Sequence, residues 1–284
     1  MRNVIVILLS VFLALSCANY SPSPDSCIRG KGKIVTQTRD VKNFTQITLK
    51  GGFDLVLTYS KNFSVKVKDH QNLLPHIVTQ VSGNTLQIYF DHCVCCSDAT
   101  VYVSMPKIEK IVDYGSGDIK ISGNFEKSDL LQVNVLGSGD ITIDSQLAKE
   151  AKIDVVGSGD VDIRSAVADV LKLSLAGSGD VDINLNSNVS SVVLKTVGSG
   201  DISLKGQHCN KLQIKSVASG DVDADEIKAD TVIVSSSGSG DIEVWALKQL
   251  KVKSLGSGDV EYKGNPSDVE INALGSGEVE RNGK

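Results

Sequence analysis

The sequence predicts an all-β protein whose main body is a single-stranded parallel β-helix, and three observations predict it. Gly-Ser-Gly-Asp recurs in nine near-copies, each followed by a β-branched residue. The acid closing each copy falls at Asp118, Asp140, Asp160, Asp180, Asp201, Asp221, Asp241, Asp259 and Glu278, in steps of 22, 20, 20, 21, 20, 20, 18 and 19. Apolar and polar residues alternate on both sides of the motif, as in Leu171-Lys172-Leu173 before it and Val181-Asp182-Ile183 after it. A repeat near this length is the signature of a solenoid, and period-two alternation is that of a strand with one buried face. Leucine-rich repeats have similar length but require an Asn or Cys ladder and a helix or turn in every unit, which the repeat lacks.

Residues 1–16 read as a secretory signal. Arg2 supplies the positive start, and the apolar run from Val4 to Leu15 covers 12 residues, too short for a membrane-spanning helix. Ala14-Leu15-Ser16-Cys17 resembles a bacterial lipoprotein box, in which cleavage precedes a cysteine that is then diacylated. Cys17 is therefore the expected lipidation site, against the alternative of an ordinary signal cleaved nearby. Residues 17–30 are polar, contain Pro22 and Pro24, and read as an extended tether.

Residues 31–110 lack the motif but alternate as strands in "QITLKGGFDLVLTY", "FSVKVKD", "NTLQIYF" and "ATVYVSM", separated by turn signals such as Ser82-Gly83-Asn84. "HQNLLPHI" is too short to count as a helix. A solenoid must cover the coil end where its core would meet water, so this stretch is expected to form an irregular β cap. Residues 111–284 hold the repeat. Strands paired with their equivalents one coil away lie about 4.8 Å apart, so nine coils stand roughly 40 Å tall. The general rule for parallel crossovers makes the coil right-handed.

Within the motif, the glycines permit positive φ or close backbone approach, so the chain can turn a corner. The residue before the first glycine is apolar in most copies: Leu136, Val156, Val197, Val217, Leu255 and Leu274. A corner at that point is expected to turn these side chains inward. Ser and Asp can bond backbone N–H groups that the turn leaves unpaired. Stacked aspartates about 5 Å apart repel by roughly 0.8 kcal/mol per neighbour in water, whereas a hydrogen bond to a charged acceptor contributes about 1.5–3 kcal/mol. The acid column can thus be purely structural. Asp162, Asp182, Asp223, Glu243, Glu261 and Glu280, two residues further on, form a second outward column. Paired acidic columns are the basis for a calcium alternative, but the repeat differs in length and pattern from the calcium-binding nonapeptides, and no cofactor is expected.

The net charge of -5 and pI of 5.4 give no electrostatic support for nucleic-acid binding. Aromatic residues make up only 5% against 41% hydrophobic residues, which fits stacked β-structure with an aliphatic core. With Cys17 lipidated, Cys27, Cys93, Cys95, Cys96 and Cys209 remain. An odd number leaves a thiol free or paired with another chain. Cys27, Cys93, Cys95 and Cys96 are the disulfide candidates, and a bond from Cys27 would pin the tether to the body. "DHCVCC" at 91–96 also offers Asp91, His92 and three thiols as metal ligands, but zinc sites use two separated pairs, so no metal is expected. His208-Cys209 reads as a coil corner rather than a catalytic pair.

The order "VKNFTQITLKGGFDLVL", "NLL", "NTLQI", "VYVSMP" and then repeated "GSGD" resembles the GIN-domain family of auto-transporter-type adhesins, on Bacteroidetes-type lipoproteins. The resemblance covers residues 35–280. It implies a right-handed parallel β-helix on an exported lipoprotein. It carries over no ligand, chemistry or functional residue, and "DHCVCC" lies outside its pattern.

No phosphate-binding loop, His-Glu-x-x-His or Gly-x-Ser-x-Gly occurs. The acids are spread evenly, and no long insertion interrupts the repeat to build a cleft, so a polysaccharide-degrading enzyme is disfavoured. The expected function is non-enzymatic: an outer-membrane lipoprotein, facing the periplasm or the exterior, that presents a long surface to a glycan or protein. A periplasmic scaffold is the alternative. Self-association is a third reading, because "EVERNGK" provides no obvious cap for the last coil.

Overall fold

The computed structural model describes residues 27–144, 148–165, 168–185 and 188–282. The expected signal at 1–16, Cys17 and most of the tether lie outside them. Among the described residues there is no α-helix, and no helix is long and apolar enough to cross a membrane.

The repeat folds as a parallel β-solenoid. Each regular coil has a long strand, the Gly-Ser-Gly-Asp corner and a short strand, such as β12 (Ser128–Gly137) with β13 (Ile141–Asp144), then β14 (Ala148–Gly157) with β15 (Val161–Ile163). Strands pair in parallel with their equivalents one coil away, and the register follows the sequence repeat. Val133 pairs with Ile153, Ile153 with Leu173, Leu173 with Leu194 and Leu194 with Ile214. These residues form one fully enclosed aliphatic column. A second column runs Ile121, Ile143, Ile163, Ile183, Leu204 on the short strands. Alternation buries every second side chain, so identical coils fill the same section of core.

One inward column departs from the aliphatic rule. Beside the corner it runs Val135, Val155, Leu175 and then Thr196, Ser216, Ser236 and Ser254, all buried. At its lower end the same column holds Asp113, with Leu49 on one side and Val135 on the other.

The N-terminal end is assembled out of chain order. β3 (Gln46–Lys50) and β4 (Asp54–Tyr59) form a coil beneath β10 (Lys110–Asp113) and β11 (Ile119–Ser122). Beneath β3 and β4 lie β7 (Thr85–Phe90) and β9 (Thr100–Met105), which come later in the chain. Antiparallel strands then close the lower edge: β6 (Ile77–Ser82) against β7, and β5 (Ser64–His70) against β9, with β2 (Ile34–Arg39) outside β5. Aromatic rings gather here, with Phe53 stacked on Phe90 at 4.4 Å and Phe44 tilted against Phe63 at 5.1 Å. Among the described residues, the far end has no such cover. β23 (Asp268–Ala273) and β24 (Val279–Arg281) pair only with the coil before them, and every residue of β23 is exposed.

Candidate functional site

The acid ladder is a continuous hydrogen-bonded column. The backbone N–H of each motif acid donates to Oδ1 of the acid one coil earlier, from Asp140 to Asp118 at 3.0 Å through Asp180 to Asp160 at 2.8 Å, up to Glu278 to Asp259 at 2.8 Å. The acid's own carbonyl accepts from the following residue of the earlier coil, as in Ile119 N to Asp140 O at 2.8 Å. Each carboxylate from Asp54 to Asp259 therefore ties two coils together with a charge-assisted bond, which outweighs the repulsion between neighbours. The ladder begins one rung earlier than the repeat suggests. Asp118 N donates to Oδ1 of Asp54 at 3.1 Å, so "GGFD" at 51–54 is a disguised copy of the motif.

The second glycine of the motif faces inward, and a Cβ there has no room. At Gly159 it would lie 2.1 Å from the carbonyl oxygen of Gly139, and each later copy repeats the clash. At the first glycine a Cβ would lie closer still, 1.5 Å from the Gly137 carbonyl oxygen at Gly157, yet Ala218 occupies that position in one coil, paired with Gly198. Close coil-to-coil approach explains the glycine.

The apolar residues before the motif point outward, contrary to the expectation from a corner. Val156 is 53% exposed and Leu274 72%, with Leu136, Val197, Val217 and Leu255 between 46% and 55%. The reason is that alternation runs unbroken through the corner. Val155 is inward, Val156 outward, Gly159 inward and Val161 inward again, with glycine taking the inward places where coils crowd. Leu136, Val156, Ala176, Val197 and Val217 are register partners on the surface, and Tyr114 extends the strip below Leu136. Ser237 interrupts it before Leu255 and Leu274.

Chemistry changes in order around this strip. On one side of it the long strands carry Lys152 and Lys172, ion-paired with Asp154 and Glu150, and then Lys195, Lys215 and Lys253. On the other side come the motif acids and then the second acid column, in which Asp162 pairs with Asp182 and Glu243 with Glu261. A depression of about 290 Å³ on the double acid column is lined by Asp180, Asp182, Asp201, Asp221 and Asp223. Higher up, Asp223, Asp225 and Glu243 converge, and Lys263 bonds Asp225. The hydrogen bond with Asp225, and then burial, raise the Glu243 pKa. These are the groups a calcium ion would use.

At the capped end, Cys27 and Cys93 form a disulfide, flanked by the two-residue pair β1 (Ile28–Arg29) and β8 (Val94–Cys95). Cys95 is half-buried and Cys96 exposed, both as free thiols. Burial pushes the Cys209 thiol up, and it donates to the Lys211 carbonyl at 2.9 Å, while neighbouring His208 bonds Asp230 on the outside. Asp91 accepts hydrogen bonds from the Nδ1 atoms of His92 at 2.6 Å and His76 at 3.1 Å. These bonds lower the Asp91 pKa, His92 contributing most. His76 was not among the sequence candidates; its signal is a second histidine at the other foot of a hairpin.

The family described as "Putative auto-transporter adhesin, head GIN domain" matches residues 43–182 and 151–266. Among solved structures, a "putative lipid binding protein" from Parabacteroides distasonis is 22% identical with a TM-score of 0.67, covering 90% of this chain and 99% of its own. A "putative adhesin" from Parabacteroides merdae is 18% identical with a TM-score of 0.65, covering 90% and 99%. A second "putative adhesin", from Parabacteroides distasonis, is 20% identical with a TM-score of 0.66, covering 90% and 100%. At these identities the likeness shows the fold. No curated protein matches the chain.

Proposed function

We propose, from the premise that this chain belongs to the GIN-domain adhesin family, that it is a non-enzymatic, lipid-anchored envelope rod that binds a protein partner along its side. The observation that carries this reading is the exposed aliphatic strip running beside the acid ladder for most of the solenoid. Its position between lysines and carboxylates supplies what interfaces use: an apolar centre with a charged rim that sets orientation. A partner segment with apolar residues, basic on the edge that meets the acid ladder and acidic on the edge that meets the lysines, complements it. The strip has one aromatic residue, Tyr114, so it lacks the ring surfaces that favour a sugar, and a protein is preferred to a glycan. The acids already bound in the ladder are spread along the rod instead of converging on a reacting atom, which supports a binding role over hydrolysis.

The anchor in this proposal is Cys17, and adhesion requires display on the outer face of the outer membrane. Protease added to intact cells should cleave the chain; protection would move the reading to a periplasmic scaffold. The strip itself is tested with Val156→Lys and Val197→Lys together, in full-length protein immobilised on beads. The double variant should keep the wild-type melting midpoint and lose roughly tenfold or more in retention on protein-coated surfaces, the loss of a central apolar contact being worth about 1.4 kcal/mol or more. Unchanged retention would refute the strip, and retention on glycan-coated surfaces alone would reassign the ligand.

A further inference from the structure

We infer that His76, Asp91 and His92 form a site for a divalent transition-metal ion of the zinc class, carried on the capped end of the solenoid. This goes beyond the adhesive strip and does not depend on it. One ligand atom from each residue lies within 4.8 Å of the others, and the two imidazole rings stand 4.8 Å apart at 73°. Zinc bonds of about 2.0–2.1 Å to nitrogen and oxygen place tetrahedral ligand atoms roughly 3.3 Å apart. The distances of 2.6 and 3.1 Å from the two Nδ1 atoms to Oδ1 of Asp91 are close to that, and side-chain rotation supplies the remainder.

The backbone holds the three residues in place. β6 and β7 are antiparallel, with Ile77 opposite Phe90, so His76 and Asp91 are the next opposed pair. Asp91 N donates to the His76 carbonyl at 3.0 Å, which closes that rung. His76 also ends the short 3-10 turn Leu74–His76, anchored by buried Leu74. His92 is fixed from the other side, because Cys93 next to it is bonded to Cys27. A site built on a strand pair and a crosslink loses little freedom on binding.

The donor set also selects the metal. Two imidazoles and one carboxylate suit zinc, copper or nickel, whereas calcium takes six to eight oxygens. Three protein ligands leave a tetrahedral position open. The half-exposed side chains put that position toward solvent, where a water or a group from a bound partner can fill it. Both imidazoles already turn toward one carboxylate oxygen through hydrogen bonds, and a bound cation would take the place of those protons.

The free thiols of Cys95 and Cys96 are competing ligands, and the test separates them. The purified full chain is titrated with Zn²⁺ by calorimetry and with Co²⁺ by absorption. One equivalent should bind, and the cobalt spectrum should show no thiolate charge-transfer band. His76→Ala and His92→Ala should each weaken binding roughly tenfold or more, while the Cys95→Ser, Cys96→Ser double variant binds as the wild type does. No binding of one equivalent, insensitivity to either histidine, or loss of binding in the cysteine variant would overturn the inference.

Discussion

At the N-terminal end of the stack, antiparallel β5 and β6 cover the edges of β9 and β7, and four phenylalanines fill the space beneath the first coils. At the C-terminal end, Val269 and Ile271 occupy the inward columns but remain 44% exposed, because none of the described residues lies above them. The same strand pattern therefore has different energetic weight at the two ends. An inward side chain in the stack is buried by the next coil, not by its own, so a coil's sequence specifies a core that only its neighbour completes. The cap supplies that neighbour with non-repeating sequence and a disulfide. Among the described residues, the outer edges of β23 and β24 pair with nothing further, and the charges of Glu270, Glu280 and Arg281 there discourage pairing with another chain.

The contrast is broken most severely at the glycine corner. In Gly159→Ala the new methyl would sit 2.1 Å from the Gly139 carbonyl oxygen, with further coils stacked on both sides. In Gly277→Ala the same 2.1 Å clash occurs with Gly258, but only the last coil has to move. The inner substitution should cost more than about 4 kcal/mol, seen as a fall of about 10 °C or more in the melting midpoint or as failure to fold. The outer one should lower the midpoint by about 3 °C or less. Thermal melts of both variants measure this, and equal losses would contradict a stack whose stability is counted between neighbouring coils.

Two buried aspartates sharpen the comparison at the junction of cap and repeat. Asp69, in the cap, accepts bonds from Ser97 Oγ at 2.7 Å and from the backbone N–H of His70 at 2.7 Å. Asp113, in the first regular column, makes no well-formed hydrogen bond through either carboxylate oxygen, and the backbone N–H groups of Gly115 and Tyr114 nearby satisfy it only weakly. Burial pushes its pKa up to about 6, against a smaller opposing pull from the N–H groups of Gly115 and Tyr114. The native state then binds a proton that the unfolded chain has released, so Asp113 costs stability as pH rises from about 4 through 6. Two pKa units correspond to about 3 kcal/mol. Asp113→Val, matching Leu49 and Val135 in the column, should gain up to about 3 kcal/mol more at pH 8 than at pH 4. Denaturant melts at the two pH values test it, and an equal gain at both would show that Asp113 does not titrate in this range.

The repeat was legible because its period and its alternation are each written in single residues. Asp54 was missed because Phe53 stands in place of the second glycine and Gly52 in place of the serine, and because residues 60–109 separate it from the next rung, Asp118. The outward strip was misread for a physical reason. A corner usually inverts the pattern, but here glycines at the inward positions let the chain bend without changing face, and Val156 stays outside. His76 joins Asp91 only through the register of β6 and β7, which depends on the turn at Gly83 and cannot be read from either histidine. The hydroxyl column of Thr196, Ser216, Ser236 and Ser254 has a sequence signal, four small polar residues at one repeat position, where alternation alone calls for aliphatic residues.

The smallest expected effect lies in the acid ladder itself. Asp160 accepts the N–H of Asp180 at 2.8 Å, so Asp160→Ala leaves that donor without its partner and should cost about 1–2 kcal/mol. Asp160→Asn keeps an oxygen at the same place and removes one repelling charge, so its cost should be about 0.5 kcal/mol or less. Glu278 ends the ladder and receives no bond from a later coil, so Glu278→Ala should change stability by less than about 0.5 kcal/mol. Chemical denaturation of the three variants in low and high salt separates the two contributions. If the ladder acts through hydrogen bonds, the alanine penalty at 160 persists in high salt, because a bond between adjacent coils is little screened while repulsion between exposed carboxylates is. An alanine at 160 that stabilises the protein in low salt would mean that repulsion dominates and that the column is held together by its neighbours instead.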